Sequence, residues 1–94
     1  MMRVEKWCGH DIRFVEVGGE WYAMLDDICN ALVMDISDVK NGLLNESWMS
    51  IPEGIIVDGG GIIEIIFGIK TDSTEAFRRQ AYNDTRRIFD KLNR

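Results

Sequence analysis

The chain's 94 residues, 46% apolar and 29% charged, suit one domain spanning 1–94 around a single core and exclude a disordered chain. No stretch reaches the roughly 18 consecutive apolar residues that a membrane-crossing helix needs, so a soluble domain with no membrane partner is expected. The net charge of −5 excludes attachment to nucleic acid through overall charge alone.

Met1 to His10 carries Arg3, Glu5, Lys6 and His10 and lacks the apolar stretch of a secretory leader; no regular element is read there. Ile12 to Val17 alternates apolar and charged residues, Gly18-Gly19 follows, and Glu20 to Met24 is again β-prone. Two such runs joined by Gly-Gly predict a hairpin, with Trp21 and Tyr22 on opposite faces. Asp26-Asp27 then opens a helix to about Val33, the two carboxylates serving its dipole and free N–H groups. Asp35 or Ser37 caps a second short helix from Asp38 to Leu44, with Val39, Leu43 and Leu44 inward and Gly42 weakening it. Trp48 to Val57, broken by Pro52 and Gly54, is expected to form strand fragments. Gly59-Gly60-Gly61 is expected to be a tight, flexible turn. Ile62 to Phe67 fits either a strand, by its β-branched content, or a short helix started by Asp58.

The last element is a long amphipathic helix capped by Asp72 or Ser73, with Asp72 and Glu75 at capping-box spacing. At about 100° per residue, Phe77, Ala81, Thr85, Ile88 and Leu92 form one stripe, flanked by Tyr82 and Phe89. Arg79, Arg86, Arg87, Lys91 and Arg94 lie opposite. The fold class is therefore α+β: an N-terminal hairpin, short helices, short middle strands and a long C-terminal helix. Charge is segregated along it, because Met1–Thr74 carries 5 basic and 13 acidic residues whereas Glu75–Arg94 carries 6 basic and 3 acidic.

Sites for chemistry are weak by comparison. Cys8 and His10 lack the second ligand pair of a zinc site, since Cys29 stands alone. With no export signal, both thiols are expected to be reduced and unbridged, as in the cytoplasm. Asp26 and Asp27 are adjacent on a helix and diverge by about 100°, so they do not converge as an acid/base pair. Ile62-Ile63 follows the triple glycine where a phosphate loop needs Lys-Ser/Thr. No hydroxyl has a histidine partner at a recognisable spacing. No enzyme, cofactor, metal or small-molecule substrate is expected.

The order of pieces resembles a known family. Arg13-Phe14-Val15-Glu16-Val17-Gly18-Gly19-Glu20-Trp21-Tyr22-Ala23-Met24, followed at once by Leu25-Asp26-Asp27-Ile28-Cys29-Asn30-Ala31-Leu32, is similar to the N-terminal domain of BRO and phage antirepressor proteins (Bro-N). That family has an arginine strand, a turn, an aromatic strand ending in W-F/Y, and a helix of the type D-V/I-x-x-A-L. Asp58 to Phe67 resembles its glycine-led apolar segment. Glu75-Ala76-Phe77-Arg78-Arg79-Gln80-Ala81 resembles its closing A-x-x-F-R/K-x-W, with Ala81 in place of Trp. The resemblance implies a helical Ile62–Phe67 and a phage or prophage regulatory domain that binds DNA to modulate transcription.

Arg78, Arg79, Arg86, Arg87 and Lys91 on the last helix, joined by Arg13 from the hairpin, are then the expected phosphate contacts. The alternative is a protein-binding antirepressor or inhibitor module. Its acidic remainder would repel DNA and attract a basic, DNA-binding regulatory protein. Apolar hairpin faces would also allow a homodimer.

Overall fold

The computed structural model describes residues 1–70 and 72–94. Alternating residues and two tight turns generate its first three strands. β1 (Met2–Trp7), β2 (His10–Val17) and β3 (Glu20–Met24) form an antiparallel meander. Gly18 and Gly19 sit at φ 62° and 85°, the paired positive values of a type I′ turn. Cys8 and Gly9 repeat that geometry between β1 and β2 at 52° and 81°. The chain start, read from sequence without an element, is thus corrected to an edge strand that ends in the fully buried Trp7.

β4 (Trp48–Ile51) and β5 (Gly54–Val57) pair with each other, and β5 pairs with β3, giving the order β1-β2-β3-β5-β4. All neighbours are antiparallel. One face of this sheet carries Trp7, Ile12, Phe14, Trp21, Ala23 and Val57 into the main core against the helices. The other buries a smaller cluster of Val15, Met24 and Ile56, flanked by Val17, Tyr22 and Ile51. Trp21 and Tyr22 do point to opposite faces. Met1, Met2, Val15 and Val17 at one corner, with Ile51 and Pro52 from the diagonal corner, line a cleft of about 330 Å³. Strand twist raises diagonal corners of a sheet toward each other, which closes this second layer without a helix.

α1 (Leu25–Leu32) follows β3 directly and ends at Val33, which is left-handed at φ 55° and 92% exposed. Asp26 and Asp27 lie in its first turn, but neither caps it. Met24 occupies the cap position without a side-chain bond, and Asp27 turns to Arg13 instead. α2 (Ile36–Gly42) is capped by Asp35, whose carboxylate accepts from Ser37 N and Asp38 N at 2.9 and 3.4 Å. It starts and stops two residues earlier than expected, leaving Leu44 58% exposed rather than inward. A 3₁₀ turn, Asn45–Ser47, leads into β4.

The triple glycine is corrected from a flexible turn to the first turn of α3 (Gly59–Glu64). Asp58 caps it, accepting from Gly61 N at 2.7 Å. Gly61 is buried, and a Cβ there would stand 2.2 Å from Val57 Cγ2 and 3.1 Å from the Ser47 carbonyl. The missing side chain is what lets α3 lie against β5 and the 3₁₀ turn at Ser47. A π-helical turn, Ile65–Ile69, closed by Lys70 N to Ile65 O at 2.8 Å, continues the helix. Of the two readings of Ile62–Phe67, helix holds. Ile62, Ile65 and Ile66 are buried, and Phe67 is turned out.

Candidate binding surface

α4 (Glu75–Leu92) begins at Thr74, whose hydroxyl accepts from Phe77 N at 3.1 Å; neither Asp72 nor Ser73 is the cap. Ala81, Thr85, Ile88 and Leu92 are buried as the stripe predicts, and Phe89 meets Phe14 edge-on at 5.6 Å. Two bonds to the β1–β2 turn fix the helix. Trp7 Nε1 donates to Thr85 Oγ1 at 3.0 Å, and Cys8 N donates to Asp84 Oδ2 at 2.8 Å.

The five α4 cations singled out in the sequence divide into two groups. Arg87 and Lys91 lean toward β1: Arg87 reaches Asp84 at 3.5 Å and the Lys6 carbonyl at 3.1 Å, and Lys91 reaches Glu5 at 3.0 Å. Arg78, Arg79 and Arg86 lie around Tyr82. Arg79 pairs with Glu75 at 3.1 Å, one helical turn away, with both side chains exposed; such a pair contributes about 0.3–0.5 kcal/mol. Half-buried Arg78 donates to the Ser73 carbonyl. Arg86 lies over the Tyr82 ring at 5.8 Å, with no carboxylate in ion-pair range among the described residues.

Arg13 is not on this surface. It sits on β2, and its guanidinium grips Asp27 through both oxygens at 2.8 and 2.9 Å, while its own backbone N–H donates to the same carboxylate. The Arg13 hydrogen bond holds Asp27 below the usual carboxylate range. A bidentate pair of this kind leaves little of the cation for an incoming phosphate.

Phe67 and Tyr82 are the residues that sequence reasoning missed. They are exposed, meet edge-on at 6.4 Å, and with Glu75, Arg78 and Arg79 line a shallow cleft of about 250 Å³. Tyr82 was legible as a flank of the helix stripe, whereas the exposure of Phe67 depends on the π turn.

The charge that remains is acidic. Among the described residues, seven ion pairs engage seven of the 11 cations and six of the 16 carboxylates. Arg78, Arg86, Arg94 and Lys40 are the cations left over. Glu16, Glu20 and Glu53 stand exposed at the hairpin tip and the β4–β5 turn, and Asp26, Asp35 and Asp38 stand exposed by α1 and α2.

Burial raises both thiols, Cys8 to about 12 with help from Asp84 and Cys29 to about 11, so neither is an activated nucleophile. Among the described residues, no three His, Cys, Asp or Glu side chains are grouped to hold a metal ion, and no helix is long and apolar enough to cross a membrane. No family model, curated protein or solved structure matches this chain.

Proposed function

We propose that this chain is a regulatory module that acts by protein contact, occupying a basic, DNA-binding regulator through its acidic surface. The observation that carries this reading is where the ion pairs fall. Arg13, Arg79, Arg87 and Lys91 are each taken by a carboxylate of the same chain, while most carboxylates keep their charge for a partner. An arginine whose charge is already partly offset by a carboxylate of the same chain attracts an incoming phosphate less strongly than a free one, whereas each unpaired carboxylate repels it. Opposed surface potentials steer a basic protein onto such a surface. The resemblance to BRO and antirepressor domains supports placing the module in phage or prophage regulation.

The DNA-binding reading retains one feature of its own, Arg78 and Arg86 beside the exposed Tyr82 and Phe67, which could meet phosphate and base together. Two titrations separate the readings. Duplex and single-stranded DNA at low salt are expected to give no anisotropy change. The immobilised domain is expected to retain a basic regulator that elutes as salt rises, and a Glu16→Lys/Glu53→Lys variant is expected not to retain it. DNA binding that is abolished by Arg78→Ala/Arg86→Ala would overturn the protein-contact reading.

A further inference from the structure

We infer that the free edge of β1 is self-complementary and that two copies of this chain pair through it, antiparallel and centred on Val4. The phase of the hydrogen bonds decides which groups are available. Glu16 N donates to the Met1 carbonyl, in the same register that sets Arg3 opposite Phe14 and Glu5 opposite Ile12. Arg3, Glu5 and Trp7 therefore turn their main-chain groups to β2, and Met2, Val4 and Lys6 turn theirs outward. Among the described residues, no other strand pairs with this side. The edge is six residues long and free of proline, whereas the opposite edge, β4, has four and runs into Pro52.

A two-fold axis at Val4 sets Val4 against Val4 of the second copy and Met2 against Lys6 of the second copy. Outward groups then meet outward groups throughout. Arg3 falls opposite Glu5 of the second copy, and the symmetry repeats that pair. Within each chain Arg3 already meets Glu5 at 3.6 Å and Lys91 meets it at 3.0 Å, so the cross-pairs extend an existing charge network. The neighbouring registers that keep the same bonding phase are displaced by two residues. One places Arg3 against its own copy and the other places Glu5 against its own copy, so charge selects the register centred on Val4. Met2 and Val4, about half exposed on the strand's other face, would extend the apolar layer across the junction. Arg87 occupies one lone pair of the Lys6 carbonyl and leaves the second for the N–H of Met2 of the second copy. The pairing adjoins the acidic contact surface, since Met2 lines one cleft with Glu16 and Glu53, but it rests on the main-chain groups of β1 and stands whether or not that surface has the partner proposed for it.

Sedimentation equilibrium of the full chain, read with amide hydrogen exchange, tests this. The wild-type chain is expected to dimerise within the micromolar-to-millimolar range and to protect the Val4 and Lys6 amides more strongly as concentration rises. Val4→Pro deletes an N–H that the β1–β2 ladder does not use, and is expected to give a monomer with an unchanged far-UV spectrum. Arg3→Glu places like charges at both cross-pairs and is expected to weaken association by about tenfold or more. A wild-type chain that stays monomeric into the millimolar range would overturn the inference. So would an Arg3→Glu variant that associates as tightly as wild type, even if Val4→Pro failed to fold.

Discussion

Thr85→Val tests how the terminal helix is held to the sheet. The change keeps the side chain's shape and removes a hydroxyl that accepts from Trp7 Nε1 at 3.0 Å while donating to the Ala81 carbonyl at 2.7 Å. Trp7 is wholly buried and Thr85 is 4% exposed, so valine strands an indole N–H where water cannot replace the lost acceptor. That costs about 1–3 kcal/mol. The Ala81 carbonyl keeps its helical N–H and adds little. For a domain of this size, each kcal/mol lowers Tm by about 4–8 °C. In a Trp7→Phe background there is no donor to strand, and Thr85→Val is expected to cost close to nothing. Urea unfolding of the four proteins, followed by far-UV circular dichroism with unchanged m-values, gives the coupling, expected at about 1–3 kcal/mol. Equal costs of Thr85→Val in both backgrounds would refute the claim that this bond anchors α4.

Adjacent glycines of α3 should respond in opposite directions to alanine. Gly60→Ala meets only Asp58 Oδ1 at 3.4 Å and should stabilise by about 0.5–1 kcal/mol through helix propensity, whereas Gly61→Ala collides with Val57 and should cost about 1–3 kcal/mol, both read from urea midpoints. Because Arg13 lowers the Asp27 pKa, the stability this carboxylate contributes is complete above the ordinary Asp value of about 4 and is lost as pH falls through the lower folded value. Asp27→Asn should therefore lower stability at neutral pH and flatten the acid limb of the stability profile. Cys8 and Cys29, raised to about 12 and 11, should react with iodoacetamide at pH 8 more than about a hundredfold slower than an unfolded control, and at the normal rate in urea.

Local patterns explain what was legible. Gly18-Gly19 between two alternating runs specified the β2–β3 hairpin, and four of the five stripe residues of α4 form its buried face, with Phe77 half-buried at its start. β1 was missed although Met2, Arg3, Val4 and Glu5 alternate, because Lys6 breaks the pattern, an edge strand is recognised by the neighbour it pairs with, and its turn places a cysteine at positive φ. Ile62–Phe67 is β-branched, and the deciding influences lay outside it: the Asp58 cap and the close approach that Gly61 permits.

The charged face of α4 was half legible. Glu75 with Arg79 and Asp84 with Arg87 show helical ion-pair spacing in the sequence itself. Lys91 with Glu5, 86 positions apart, and Arg13 with Asp27, 14 apart, carry no such signal. A basic stripe read from a helical wheel is a statement about one helix, and the partner of Lys91 came from another element.

The contacts between the β1–β2 turn and α4 also bear on when the domain can fold. Trp7 and Cys8 leave the ribosome long before Thr85 and Asp84, their hydrogen-bond partners. Until the last helix emerges, the nascent meander holds a large indole with nothing to cover it, and the sheet's main face stays open. Completion of the fold therefore waits for α4 to emerge, and a chain stalled short of α4 would offer chaperones a tryptophan-bearing sheet rather than a smaller native domain.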